Sequence, residues 1–477
     1  MFRRSEPRRL DARAVDVVRA RLDRALGTSK ILTDEGALLG FASDESENEP
    51  IMPDVVVRAE NAADCAKVLE IASELAVPVT PRAGGSGKSG GCIPAAGGIV
   101  LATLGLNGIK EIDRRELLAV VEPGVILGEL HAAVEAEGLF YPPDANSLES
   151  CALGGNVAEN AAGPRAFKYG STRDYVLGLE VLTIGGAPLR VGRRTKKGVT
   201  GYDLAGLLVG SEGTLALTTE ITVRLVPKPE HIVTLMALFA DVHAAGRAVA
   251  EILAARVVPR CIELLDRATL EAVRARGLAL DPTAQAMLVI EVDGAEPTTM
   301  LEAERVGEAA DRAGAISVLV AQDEAQRDRL WAARRALSRT TRAMAKYKVS
   351  EDVVVPRSRI GALLDEIDRI RAETGIMMLS YGHAGDGNLH VNFLWNDPSE
   401  QPAVERGLGM LFRAVVAERG TLTGEHGVGL SKRDYLPIEQ SSAVIDLQRQ
   451  LKAVFDPHDL LNPGKIFPRP GGGHASC

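Results

Sequence analysis

Pro81-Arg82-Ala83-Gly84-Gly85-Ser86-Gly87-Lys88-Ser89-Gly90-Gly91 follows a short β-branched run at Val77 to Thr80 and packs five glycines into eleven residues. Glycine lets successive backbone N–H groups turn toward one anion, so the stretch reads as a phosphate cradle. Two familiar cradles nearly fit and fail on context. Gly85-x-Gly87-x-x-Gly90 has dinucleotide spacing, but that fingerprint must open a helix, and here Pro94 and Gly97-Gly98 precede another strand-like run. Gly87-Lys88-Ser89 resembles the end of a P-loop, whose first glycine would fall where Arg82 stands. A mixed α+β cofactor domain of another kind is implied.

Upstream, Val15, Val18 and Leu22 share one helical face within 11–26, and the acidic run Asp44 to Glu49 closes what reads as an N-terminal helical cap over residues 1–50. Val55-Val56-Val57, a helical stretch from Asn61 to Leu75 and the strand before the glycine loop make a β-α-β beginning. Downstream come strand-like runs at 99–101, 118–121, 178–182 and 218–224, and Pro227-Lys228-Pro229 marks a boundary, since prolines so close disfavour helix and central strand alike. The first domain is therefore set at 51–229. A second α+β domain follows at 230–468, with helices at 242–255, 298–314 and 359–374 and strands at 286–292 and 389–394, before a tail at 469–477.

Composition excludes several classes. A chain of 477 residues with 25% charged and 46% hydrophobic residues and a mean hydropathy of +0.03 is globular and long enough for two or three cores. A net charge of −9 without a basic patch argues against nucleic acid. The five cysteines are scattered, without any C-x-x-C pair, which points to a reducing compartment rather than a disulfide framework or zinc ribbon. The basic opening Met1 to Arg9 lacks the apolar run of a secretory signal, and no stretch reaches the ~20 apolar residues of a membrane span, so a cytoplasmic protein is expected.

Three of the eight histidines fall in two glycine-flanked clusters, Gly382-His383-Ala384-Gly385-Asp386-Gly387-Asn388-Leu389-His390-Val391-Asn392 and Thr423-Gly424-Glu425-His426-Gly427-Val428-Gly429. A period of two puts His390 and Asn392 on one strand face, with Leu389, Val391 and Phe393 toward the core, and His383 before the turn can fold back beside His390. Two imidazoles and a carboxylate suit a divalent metal; Glu425 is the leading third ligand and Asp386 a competitor. The other reading is a hydrogen-bonded buried polar patch.

With Tyr141-Pro142-Pro143-Asp144-Ala145-Asn146-Ser147, Leu153-Gly154-Gly155-Asn156 to Gly163, Lys168-Tyr169-Gly170 and Val209-Gly210-Ser211-Glu212-Gly213-Thr214-Leu215 added, the chain from about Leu32 to Pro468 resembles the FAD-linked oxidases of the vanillyl-alcohol oxidase and p-cresol methylhydroxylase superfamily. The branch it is most similar to holds D-lactate dehydrogenase, D-2-hydroxyglutarate dehydrogenase and the FAD subunit of glycolate oxidase. Ala83 and Ser86 replace the family's usual glycine and threonine, and Ala145 a frequent proline. The resemblance implies a p-cresol methylhydroxylase-type FAD-binding domain followed by an FAD-linked oxidase C-terminal α+β domain. It implies non-covalent FAD, with the pyrophosphate on Arg82, Ala83, Gly84, Gly85, Ser86, Gly87 and Gly90, and the remainder lined by Ser147, Gly154, Gly155, Asn156, Asn160 and Gly170, with Asn462 as either a cofactor contact or a turn residue. It further implies a metal, zinc being the leading choice, on His383, His390 and Glu425, and His426 as catalytic base. Arg334, with Arg335 as its rival, Lys346 and Asn392 would bind the substrate. The implied reaction is oxidation of a D-2-hydroxy acid to the 2-oxo acid, with electrons passed to a quinone, a cytochrome or an electron-transfer protein. Two alternatives stand beside it. One is a subunit inactive until joined by a flavin partner and an iron-sulfur partner, through which it would reach a membrane; the other is a non-redox enzyme like alkyl-dihydroxyacetone-phosphate synthase. A homodimer is compatible with either.

Overall fold

The computed structural model describes residues 10–275 and 280–469; the basic segment Met1 to Arg9, the tail from 470 and the Arg335 side chain lie outside the described residues. The chain forms two compact units, neither continuous in sequence. One takes the residues as far as Ala161, Ser171–Lys228 and those from Glu425 onward; the other takes Ala162–Gly170 and Pro229–Gly424.

The first unit holds a four-stranded sheet ordered β1 (Ile31–Leu32), β2 (Val55–Arg58), β4 (Ile99–Ala102), β3 (Val79–Arg82). Strands β2, β3 and β4 run parallel, and the central β4, Ile99-Val100-Leu101-Ala102, is apolar and buried along its whole length, as a parallel strand covered on both faces should be. Helix Ala62–Leu75 links β2 to β3, capped at its start by the Asn61 side chain on the Asp64 N–H, and buries Cys65, Val68, Leu69 and Ala72 against them. Helix Ala12–Leu26 adds Val18 and Leu22 to that core. A second sheet, antiparallel, orders β5 (Ile109–Asp113), β6 (Leu118–Val121), β10 (Leu217–Arg224), β8 (Val176–Leu182) and β9 (Pro188–Gly192), and a two-stranded ribbon joins β7 (Leu139–Phe140) to β11 (Val226–Pro227).

The residues from Glu425 onward belong to this unit, so the expected domain 230–468 is not one compact body. The reason is polar burial. Lys452, 3% exposed, donates to the Thr214 and Leu461 carbonyls at 2.8 Å each and pairs with the fully buried Asp456. Leu461 also bridges Val79 of β3. A buried ammonium holds its place only while such partners surround it.

The second unit is a seven-stranded antiparallel sheet ordered β15 (Ala315–Val320), β12 (His231–Phe239), β14 (Ala286–Gly294), β13 (Cys261–Leu265), β17 (Met377–His383), β18 (Asn388–Trp395), β16 (Tyr347–Val354). Helices Ile360–Thr374 and Gln401–Ala417 pack on the face where Phe393 meets Gly407. Helices Arg267–Arg274 and Glu324–Arg342 cover the other, where Leu270, Val273 and Leu337 cluster with Met287, Val289 and Tyr381. The 162–170 segment docks here because Lys168 and Tyr169 reach the buried Asp293 at 2.6 and 2.8 Å.

Candidate active site

In the first unit the glycine loop leaves β3 and runs against the turn before helix Leu153–Glu159. A Cβ at Gly84 would overlap the Ser150 carbonyl and lie 3.0 Å from the Ala152 nitrogen, so only glycine fits there. Among the described residues, the N–H groups of Gly84, Gly85, Ser86 and Gly87 donate to no protein acceptor. A run of partly buried donors left open by the protein fits an anionic group such as a pyrophosphate. Gly155 faces Ala83 at 3.9 Å, measured from where its Cβ would be, and Gly154 packs on Pro123, while Asn156 is buried one turn further along. Ser147 caps its own turn through its carbonyl, which accepts from Ser150 and Cys151.

Four further expected cofactor residues make contacts within the protein or lie in the other unit. The Arg82 guanidinium turns back over Gly85, donates to the Ser43 carbonyl at 2.6 Å and lies 5.6 Å from the Phe41 ring, which makes it a brace for the loop. Asn160 accepts from Ser171 Oγ and the Arg173 N–H, closing a local turn. Gly170 ends helix Ala166–Tyr169 and belongs to the other unit. Asn462 is buried and fully engaged, donating to the Gly91 and Glu212 carbonyls at 2.9 and 2.7 Å and accepting from Lys465.

Glu212, which pattern reading passed over, grips the segment after His426. Its carboxylate accepts from the Val428 and Gly429 N–H groups at 2.8 and 2.7 Å. The Ser89 carbonyl accepts from Leu430 and Ser431, and a Cβ at Gly429 would overlap that same carbonyl. The histidine loop is thereby laced to the glycine loop within one unit. His426 is partly exposed, with Nε2 3.9 Å from Glu425 Oε1.

In the second unit the functional face is set by register, because residues opposite each other in an antiparallel pair share a face. Glu263 lies opposite His383, Tyr381 opposite His390, Leu379 opposite Asn392, and Asp352 and Ser350 opposite His390 and Asn392. His383 and His390 are diagonal neighbours with ring centroids 5.3 Å apart, edge to face. His390 and Asn392 share one face, as the period of two implies, and the histidines on it are buried: His383 is 4% exposed and His390 8%. Asp352, itself buried, accepts from Thr423 Oγ1 at 3.0 Å and the Gly424 N–H at 2.8 Å, fixing the turn that ends in Glu425. One ligand atom each from His383, His390 and Glu425 then lies within 4.8 Å of the others. Asp386, the competing ligand, is not in that group.

His383 Nδ1 meets Glu263 Oε1 at 2.5 Å, and Glu263 Oε2 takes the Arg334 Nε at 2.5 Å. Burial alone would raise the Glu263 carboxyl, but the Arg334 guanidinium and His383 beside it hold it down, at about 2. A histidine whose Nδ1 is turned to a buried carboxylate fits a metal-binding imidazole that ligates through Nε2. Arg334 is 8% exposed and stacks 4.9 Å above Tyr381, leaving its two terminal nitrogens without a hydrogen-bond partner among the described residues. Lys346 is exposed, outside the strand, with Nζ 5.1 Å from the Tyr347 ring. Lys348, two residues on, is the buried lysine of this face, its Nζ 3.0 Å from Thr341 Oγ1. Asn392 is fully buried; its amide nitrogen donates to the Leu379 and His390 carbonyls while Oδ1 has no partner among the described residues.

Two family models match, one described as an FAD binding domain over residues 53–192 and the other as the C-terminal domain of FAD linked oxidases over 228–466. The chain belongs to the FAD-linked oxidase family. Among its relatives, the glycolate oxidase subunit GlcD of Bacillus subtilis is 40% identical over 94% of this chain and 96% of its own length. A D-lactate dehydrogenase of Anaerostipes hadrus is 33% identical over 87% of this chain and 89% of its own. Substrate-bound p-cresol methylhydroxylase superimposes with a TM-score of 0.80 over 96% of this chain and 97% of that one, at 15% identity, which bears out the expected fold. Among the described residues no helix is long and apolar enough to cross a membrane.

Proposed function

We propose that this chain oxidises a small D-2-hydroxy acid to the 2-oxo acid. The observation that carries the reading is the His383–His390–Glu425 donor set backed by the buried Glu263 and Arg334, in a chain whose relatives are named glycolate oxidase subunit and D-lactate dehydrogenase. Bound FAD supplies a hydride acceptor and a bound divalent cation, zinc being the leading choice, a Lewis acid.

The residues divide the remaining work. Arg334 keeps its fork of terminal nitrogens for a carboxylate while Glu263 holds its Nε, so the guanidinium enters the reaction pre-oriented. Lys348, in place of Lys346, adds a second buried cation on the same face. Asn392 Oδ1, a buried acceptor in want of a donor, suits the substrate hydroxyl. His426 takes the hydroxyl proton; an imidazole with an unperturbed pKa of about 6.5 does so near neutral pH. Arg334, Lys348 and Asn392 are buried, which strengthens their polar contacts.

The test is anaerobic bleaching of the flavin against D-lactate, L-lactate, glycolate and D-2-hydroxyglutarate. Bleaching by one of these with the 2-oxo acid as product supports the reading; none by any of them refutes it. A second reading is favoured by the word "subunit" in the name of the Bacillus relative: the chain turns over only with partner subunits, among them one carrying iron-sulfur clusters. Bleaching without dye turnover by the lone chain supports it, and full turnover refutes it.

A further inference from the structure

We infer that Glu263 is a positioning residue that holds the metal ligand His383 and the guanidinium of Arg334 in one fixed arrangement, so that metal affinity depends on a side chain that is not itself a metal ligand. The inference rests on the proposed metal centre. It comes from three independent observations in the second unit.

Register comes first. Glu263 lies directly opposite His383 across the β13–β17 pair, so strand pairing alone brings carboxylate and imidazole face to face. Burial comes second. Glu263 stands at the centre of Cys261-Ile262-Glu263-Leu264-Leu265, a strand buried along its whole length, and is itself 0% exposed. A carboxylate is expensive there unless each oxygen has a partner. Pairing is third: Oε1 takes His383 Nδ1 and Oε2 takes Arg334 Nε, both at 2.5 Å, so the two oxygens are divided between the two groups.

The consequence for His383 is a fixed tautomer. Nδ1 carries its proton toward Glu263, so Nε2 presents its lone pair and the ring cannot rotate about χ2 without breaking a buried charge-assisted bond. For Arg334, Glu263 takes the Nε edge and leaves the terminal nitrogens outward. Carboxylates that orient a ligating histidine in this way typically carry a 10–100-fold share of metal affinity.

The experiment titrates the metal-free full chain with Zn²⁺ against a chromophoric chelator. It compares the native protein with Glu263→Gln, Glu263→Asp and His383→Ala, and records flavin absorbance and the melting temperature for each. Glu263→Gln is expected to weaken Zn²⁺ about 10–100-fold and to alter the visible ligand-field bands of the Co²⁺-loaded protein, while Glu263→Asp recovers most of the affinity. A merely structural glutamate would show neither the spectral change nor the rescue. Because Glu263→Gln leaves Arg334 buried beside a neutral partner, Glu263→Gln with Arg334→Met is the companion variant; it removes both charges and is expected to fold and still bind Zn²⁺ weakly. If the native protein binds Zn²⁺ and Glu263→Gln, alone or with Arg334→Met, binds it within about threefold as tightly, the inference is overturned. If the native protein takes up neither ion, the metal reading itself falls, and the inference with it.

Discussion

Replacing Glu212 by glutamine tests whether the His426 loop depends on two hydrogen bonds from a single carboxylate. The carboxylate, 6% exposed, accepts the Val428 and Gly429 N–H groups at 2.8 and 2.7 Å. A glutamine has one oxygen to offer, so one N–H keeps its acceptor and the other faces an NH₂. Losing one charge-assisted bond costs about 1.5–3 kcal/mol, and leaving a buried donor unsatisfied about 1–3 kcal/mol. The loop will swing to recover part of this, so about 3 kcal/mol is the reasonable net. At about 1.4 kcal/mol per tenfold, that lowers the docked population of the loop, relative to the undocked one, by roughly a hundredfold. Rapid anaerobic mixing of FAD-loaded protein with the hydroxy acid that bleaches it best reads the reduction rate, and visible absorbance reads FAD retention. Glutamine should slow reduction by ten- to a hundredfold while FAD stays bound, since no open N–H of the glycine loop is disturbed. Reduction at the native rate, with an unchanged melting temperature, would refute the reasoning.

Gly84→Ala should abolish FAD retention, read by absorbance after gel filtration, because the new methyl would overlap the Ser150 carbonyl. Lys452→Met removes an ammonium that is 3% exposed and strands Asp456, so a loss of about 3–5 kcal/mol is expected, read as a fall in the urea midpoint together with weaker FAD binding. Burial pushes the Asp266 carboxyl up to about 6, against the hydrogen bonds from Thr269 and Ser380 and the charge of Arg371. Its raised folded-state value means that its contribution to stability is fully present below about pH 4 and is lost as pH rises through about 6. At about 1.4 kcal/mol per pKa unit this amounts to roughly 3 kcal/mol. Asp266→Asn, which keeps an acceptor for the Thr269 cap, should flatten that slope in urea titrations; an unchanged slope would exclude Asp266 as its source.

What the sequence disclosed follows the range over which each signal acts. The glycine loop, the helix Ala62–Leu75 and the strand Asn388–Trp395 are local patterns, and a period of two sufficed to put His390 and Asn392 on one face. Glu263 escaped because its partner is 120 residues away, and its only local mark was a single acid in an apolar run. Lys346 and Lys348 are alike in composition, and only the start of the strand at Tyr347 separates an exposed ammonium from a buried one. The three partners of Asn462, two of them hundreds of residues distant, carry no local sequence signal at all.

The first unit's three-piece construction has a bearing on how it is made. Between Lys228 and Glu425 the ribosome must add roughly two hundred residues, which at 5–20 residues per second takes about 10–40 s. During that interval β3 has no Leu461 beside it, the Thr214 carbonyl has no ammonium, and Gly91 has no asparagine amide. The glycine loop therefore waits, half assembled, while the second unit is synthesised. A nascent chain stalled before Glu425 would present a finished antiparallel sheet and an unfinished cofactor half, and FAD capture would come late in biosynthesis although its loop is among the first segments translated.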